Sequence, residues 1–170
     1  MRIFKEEQRF TQTWLMVVLI ISMITPIALM IKEYSNGDST NSINEILITS
    51  LLMVAVLTLI FFFKLKTRID EIGIHYQFFP FHFSARTIAW SELVVAKSRK
   101  YAAFTEYGGW GLKSSFLSRK KKGIAYTVSG DTGIQLEYKN GKKILIGTQK
   151  LNDVNAVLKT YEHKIMTDEV

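Results

Sequence analysis

The side chains able to do chemistry are few and scattered. Three histidines, His75, His82 and His163, lie far apart in the 170-residue chain, at no spacing that suits metal ligands. His75 falls in an alternating stretch, on the face opposite Ile74, and is expected to face solvent. The neighbouring carboxylates Asp70 and Glu71 stand just before Gly73, where acids ordinarily form turns. The absence of cysteine excludes disulfides, thiolate nucleophiles and Cys-based metal sites. No G-x-S-x-G, P-loop, H-E-x-x-H or EF-hand pattern occurs. The expectation is a protein without catalytic residues, metal or cofactor.

Groups that could bind are easier to find. Lys113 and the run Arg119, Lys120, Lys121 and Lys122 put five cations into ten residues, with Phe116 and Leu117 between them. Near a bilayer, each such cation adds roughly 1 kcal/mol of attraction to anionic headgroups, and the two apolar residues add insertion. The simpler reading is a solvated loop. Trp110 stands among Gly108, Gly109 and Gly111 in EYGGWG. Glycines there permit positive φ and close backbone approach, so Trp110 is a candidate interfacial or groove aromatic. A glycine-rich bend with the indole plugging the core is the competing and simpler role.

The elements that must carry these groups come in two kinds. Mean hydropathy is slightly positive, +0.11, although 22% of residues are charged, because the two kinds of residue are segregated. Residues 13–31 and 46–63 contain no charge, and each run approaches the length needed to span a hydrocarbon core of about 30 Å. The first run exceeds the 7–15 residues of a signal-peptide core, and no small-x-small cleavage pattern follows it. Pro26 is tolerated in such a span, with a kink. Arg2, Lys5 and Arg9 precede the first run, and Lys64, Lys66 and Arg68 follow the second. The connection 32–45 holds one basic residue against Glu33, Asp38 and Glu45. The positive-inside bias predicts a multi-pass protein of the cell (inner or plasma) membrane, with both termini cytoplasmic and a passive outer loop. Residues 1–63 are thus an N-terminal segment and transmembrane hairpin, and residues 64–170 a cytoplasmic domain.

That domain carries 18 Lys and Arg against 10 Asp and Glu, and alternation predicts about seven short strands. They are LKTRIDE, GIHYQFF (ended by Pro80), TIAW, SELVVAK, IAYTV, GIQLEY and KKILIG. Asn140-Gly141 signals a two-residue hairpin turn between the last two. Leu151, Val154, Leu158, Tyr161 and Ile165 then recur at spacings of three and four, one apolar stripe of a terminal helix. The predicted class is α+β: a two-helix hairpin, then an antiparallel, barrel-like β domain closed by an amphipathic helix.

The stretches TRIDEIGIHY, TIAWSELVVAK and GKKILIGTQKLNDVNAVL, with EYGGWGLK and GIAYTVSGDTGIQLEY between them, resemble small bacterial membrane proteins with a pleckstrin-homology-like (bacterial PH) domain. That family has no assigned activity. The resemblance covers most of the chain, implies a fold and brings no catalytic residues. The expected function is a membrane-tethered, non-catalytic binding or scaffolding module contacting anionic lipid. The alternative is an accessory subunit of a larger membrane complex, or a homo-oligomer, assembled through the hairpin. Thr49, Ser50 and Thr58 are of the type found at helix contacts. A short basic loop without a recognition helix argues against nucleic acid.

Overall fold

The computed structural model describes residues 2–37, 42–114 and 123–166. It divides into two compact units: the helical segment 10–63, and a β unit that joins the strand ending at Arg9 to the chain from Lys64 onward.

The helical unit consists of α1 (Thr13–Ser35) and α2 (Ile43–Phe62). Ser42 starts α2 with a capping box. Its hydroxyl accepts the Glu45 amide, and the Glu45 carboxylate accepts the Ser42 amide at 2.8 Å. α1 continues through Pro26 and buries no residue, and α2 buries only Ile46. Leu47, Ile48, Leu51, Leu52, Phe61 and Phe62 are all exposed. A contiguous apolar surface of this kind marks a membrane or protein contact. Both helices are long and apolar enough to cross a membrane. Their hydroxyls are satisfied within the helix: Ser22 donates to the Leu19 carbonyl, Thr25 to Ile21 and Thr58 to Val54, each at 2.8 Å. At the foot of the hairpin the rings of Phe10 and Phe63 meet edge to face at 6.1 Å.

In the β unit, β1 (Phe4–Arg9), β2 (Lys64–Ile69), β3 (Gly73–Phe79) and β4 (Arg86–Ala89) form one antiparallel sheet in that order. Gly73 is required at the start of β3, since a Cβ there would lie 2.0 Å from the Ile88 carbonyl oxygen. A 3-10 turn at Trp90–Glu92 leads into the second sheet. Its strands are β5 (Leu93–Lys100), β6 (Gly111–Ser114), β7 (Ile124–Thr127), β8 (Thr132–Tyr138) and β9 (Lys143–Gly147), in the order β5-β8-β9-β7-β6. The pairs are antiparallel except β7 with β9. A short helix, α3 (Ala103–Tyr107), lies between β5 and β6.

The expected barrel does not form. The chain makes two sheets, and no ladder joins them among the described residues. They stack instead, with Tyr76 of β3 4.9 Å from Tyr126 of β7 and Phe78 6.2 Å from it, ring to ring. The Trp90–Glu92 turn is the physical reason. Trp90 is buried, donates its indole N–H to the Asp70 carbonyl at 2.9 Å and stacks on Tyr161 at 5.4 Å. This anchor redirects the chain between layers where a barrel strand would run on. The Asn140-Gly141 turn is also longer than expected. The Gly141 amide donates to Tyr138 O and Tyr138 N to Lys142 O, leaving a three-residue loop with Gly141 at φ 79°. The terminal stripe folds as α4 (Leu151–Tyr161), which buries Val154, Val157, Leu158 and Tyr161. It breaks at Glu162 before α5 (His163–Met166).

Sequence reading missed two strands, β6 and β1. β1 also moves the domain boundary, because Phe4–Arg9 pairs with β2 from Phe4↔Ile69 to Arg9↔Lys64. Its inner face is Phe4, Glu6 and Gln8, all buried. The Glu6 carboxylate accepts the Thr148 hydroxyl at 2.6 Å and the Gln149 amide at 2.8 Å. Gln8 donates to the Gly147 carbonyl at 2.8 Å. Polar bonds from β1 thus hold the end of β9. The Tyr161 hydroxyl donates to Arg2 O at 2.7 Å and fastens α4 to the same strand.

Glu6→Ala leaves the buried Thr148 hydroxyl and the partly buried Gln149 amide without their acceptor, and is expected to destabilise the β unit by about 1–3 kcal/mol. Glu7→Ala, on the opposite exposed face, is expected to change stability by less than about 0.5 kcal/mol. Thermal unfolding of the full chain in mild detergent, followed by near-ultraviolet circular dichroism, measures both.

Candidate anion-binding face

Alternation along β1, β2 and β3 sorts their residues onto two faces. The inner face is Phe4, Glu6, Gln8, Leu65, Thr67, Ile69, Ile74, Tyr76 and Phe78, all buried. The outer face is built in rows by the pairing register. Lys5, Arg68, His75 and Thr87 form one row, Glu7, Lys66 and Gln77 the next, and Arg9, Lys64 and Phe79 the third. Adjacent strands lie about 4.8 Å apart and successive rows about 7 Å. Five cations therefore share one small surface with a single interleaved carboxylate.

That carboxylate, Glu7, sits 2.9 Å from Arg9, 3.2 Å from Lys64 and 3.9 Å from Lys66. The hydrogen bond from Arg9, reinforced by Lys64 against a small desolvation, holds it below the usual carboxylate range. Lys5 has no carboxylate partner among the described residues. Lys5, Lys66, Arg68, His75 and Gln77 line a groove of about 470 Å³, and the acidic Glu6 and Glu7 line it with them. Three cations line this groove against Glu6 and Glu7, a surplus of positive charge that suits a phosphate or carboxylate ligand.

One edge of this face is fixed by the buried Asp70. Burial pushes its carboxyl up, but hydrogen bonds from His75 and from the amides of Ile72 and Gly73 outweigh that and hold it below its ordinary value. Arg68 Nη2 bonds Asp70 Oδ2 at 2.9 Å. His75 Nε2 lies 3.0 Å from Asp70 Oδ1, and its Nδ1 lies 2.8 Å from Thr87 Oγ1. The ring thus bridges the carboxylate at Nε2 and the Thr87 hydroxyl at Nδ1. Asp70 in the turn after β2, His75 of β3 and Thr87 of β4 so form a bonded chain. Its geometric effect is to orient Arg68 and His75 at the groove. The expectation that His75 faces open solvent is modified, because the ring is half-buried and both its nitrogens are engaged.

The residues singled out by sequence lie elsewhere. Lys113 is on β6, paired with Ala125 and partly exposed. Phe116, Arg119, Lys120, Lys121 and Lys122 lie outside the described residues. Trp110 is docked: its indole N–H donates to Gly130 O at 2.9 Å and its ring meets Phe104 edge to face at 5.0 Å. It packs on the cluster of Tyr101, Ala103, Tyr107, Ala125 and Leu145. Gly108, at φ 73°, supplies the left-handed cap that ends α3 before it. The outer face of the first sheet was missed, although Lys5-x-Glu7-x-Arg9 and Lys64-x-Lys66-x-Arg68 carry its signal, charges at a period of two.

Comparison with known proteins returns no match to any family model, curated protein or solved structure.

Asp70→Asn removes the charge that holds Arg68 and His75, and is expected to cost about 1.5–3 kcal/mol at neutral pH. Folded Asp70 binds its proton less tightly than the unfolded residue. Its contribution is therefore complete above the ordinary value of 3.8 and disappears as the pH falls through the lower folded value. Denaturant unfolding of wild type and variant at neutral pH and below pH 3.8 should show the gap closing in acid.

Proposed function

We propose that the chain is a membrane-tethered, non-catalytic binding or scaffolding module of the bacterial pleckstrin-homology-like type, whose basic surfaces meet anionic lipid headgroups. One observation carries the reading. The five cations on the outer face of β1 and β2 belong to strands that run, within three residues and one residue respectively, into α1 and out of α2. Glu7 and Asp70 offset part of this charge, and the positive surplus, tied so closely to two apolar helices, is matched by the acidic surface of a membrane. The tether raises the local lipid concentration without further contacts. The run Arg119 to Lys122 adds to the same attraction. Two stacked sheets followed by an amphipathic helix on their flank support the pleckstrin-homology-like assignment.

The same reading puts both termini in the cytoplasm. The basic flanks favour that side, and the pairing Arg9↔Lys64 keeps the two ends of the hairpin together. The rival reading, a subunit assembled through the hairpin, draws less support, because Thr58 spends its hydroxyl on its own helix.

Lipid preference is read by native mass spectrometry of the full chain released from mixed bilayers. Phosphatidylglycerol should be retained over phosphatidylcholine, and Lys5→Gln/Lys66→Gln/Arg68→Gln should cut the preference by roughly tenfold or more, at about 1 kcal/mol per cation. Equal retention of the two lipids by the wild type would overturn the reading. Orientation is tested by single cysteines in this cysteine-free chain. A membrane-impermeant maleimide added to intact cells should label Asn36→Cys and spare Asn140→Cys.

A further inference from the structure

The connection between β3 and β4 holds an apolar feature that the basic face does not explain. Phe79, the last residue of β3, is in register with Lys64, and Lys64 with Arg9. This row lies at the end of the sheet from which the chain departs into α1 and from α2. The connection that follows, Pro80-Phe81-His82-Phe83-Ser84-Ala85, therefore starts at the same end. Phe81 is 53% exposed and Phe83 is 84% exposed.

These rings are held outward by a well-bonded loop. His82 is buried and packs edge-on to Tyr76 at 5.6 Å and against Tyr126 at 5.3 Å. Its amide donates to Phe78 O at 2.8 Å, and its Nδ1 accepts the Phe78 amide at 3.4 Å. From the outer face, Gln77 Nε2 donates to the carbonyls of His82 at 3.2 Å and Phe83 at 2.9 Å. Phe81 stacks flat on Phe78 at 5.8 Å, and Phe83 stands edge to face with Phe79 at 6.0 Å. The imidazole anchors the loop inside while the amide clamps it outside, leaving two phenyl rings at the tip.

We infer that Phe81 and Phe83 form an interfacial anchor that enters the headgroup–acyl boundary of the bilayer crossed by α1 and α2. The inference rests on the membrane reading above. Lipid is chosen over a protein partner because two members of the row beneath the loop, Arg9 and Lys64, are joined to the two apolar helices through three residues and one residue of chain. Apolar tips backed by a row of cations are also the order of groups met on passing from acyl chain to phosphate.

The test uses the full chain in nanodiscs of zwitterionic lipid. An environment-sensitive fluorophore is placed on Ser84→Cys, which leaves both phenyl rings intact. A second is placed on Glu71→Cys, beyond the opposite end of the same ladder, about 17 Å away along the strands. The Ser84 label should emit to the blue of the Glu71 label. It should also be quenched roughly threefold more by lipids bearing a shallow nitroxide. Phe83→Ser, which gives up the edge-to-face contact with Phe79 on a largely exposed ring, should bring quenching down toward the Glu71 level. A Ser84 label that emits as in water, or is quenched no more than the Glu71 label, would overturn the inference. So would a blue-shifted label that nitroxide lipids leave unquenched, which would assign the loop to a protein or a second copy of the chain. Because no anionic lipid is present, failure of the headgroup reading leaves this outcome unaffected, and the reverse also holds.

Discussion

Everything in the β unit depends on the pairing of β1 with β2, two strands separated by the entire helical hairpin. Six residue pairs, Phe4↔Ile69 to Arg9↔Lys64, close a 54-residue excursion. Closing so long a loop has an entropic cost that grows only slowly with length, but a six-residue edge ladder alone is a weak clasp. The inner side chains of β1 strengthen it. Glu6 reaches Thr148 and Gln149, and Gln8 reaches Gly147, so the strand bonds to both layers.

Two buried carboxylates accordingly govern the two faces of one sheet. Glu6 points inward and fastens β1 to the end of β9. Asp70 sits at the opposite end of β2, where it shapes the turn into β3 and steers Arg68 and His75 outward. A buried acid is tolerated only when its oxygens are filled by donors. Both meet that condition, with hydroxyl and amide for Glu6 and with guanidinium, imidazole and amides for Asp70. The basic outer surface is thus backed by fixed bonds at one end of its rows and by the clamped β3–β4 connection at the other.

How much of this the sequence disclosed depended on how cleanly polarity followed position. The two apolar helices were legible because uninterrupted hydrophobicity has no cheaper explanation, and α4 because its stripe is regular. The strands β2, β3, β8 and β9 alternate visibly and were read. β1 was not, because two of its three inward residues are Glu6 and Gln8, so its alternation is polar against polar. The candidate face went unseen for the same reason: its charges were read as flanks of the helices. The Asp70–His75–Thr87 chain was invisible for another reason, since strand register and not sequence spacing brings those residues together. Barrel closure was wrongly expected because strand count and order do not distinguish a closed sheet from two stacked ones. The deciding feature is the docking of Trp90.

The divided β unit also orders events during synthesis. Chains grow from the N-terminus, so β1 emerges before either helix, yet its partner β2 follows only after both. Until then Glu6 and Gln8 have nothing to bond. Completion of the first sheet therefore waits until the whole helical hairpin has been made, and the ladder kept waiting is the one that joins the earliest strand to the rest.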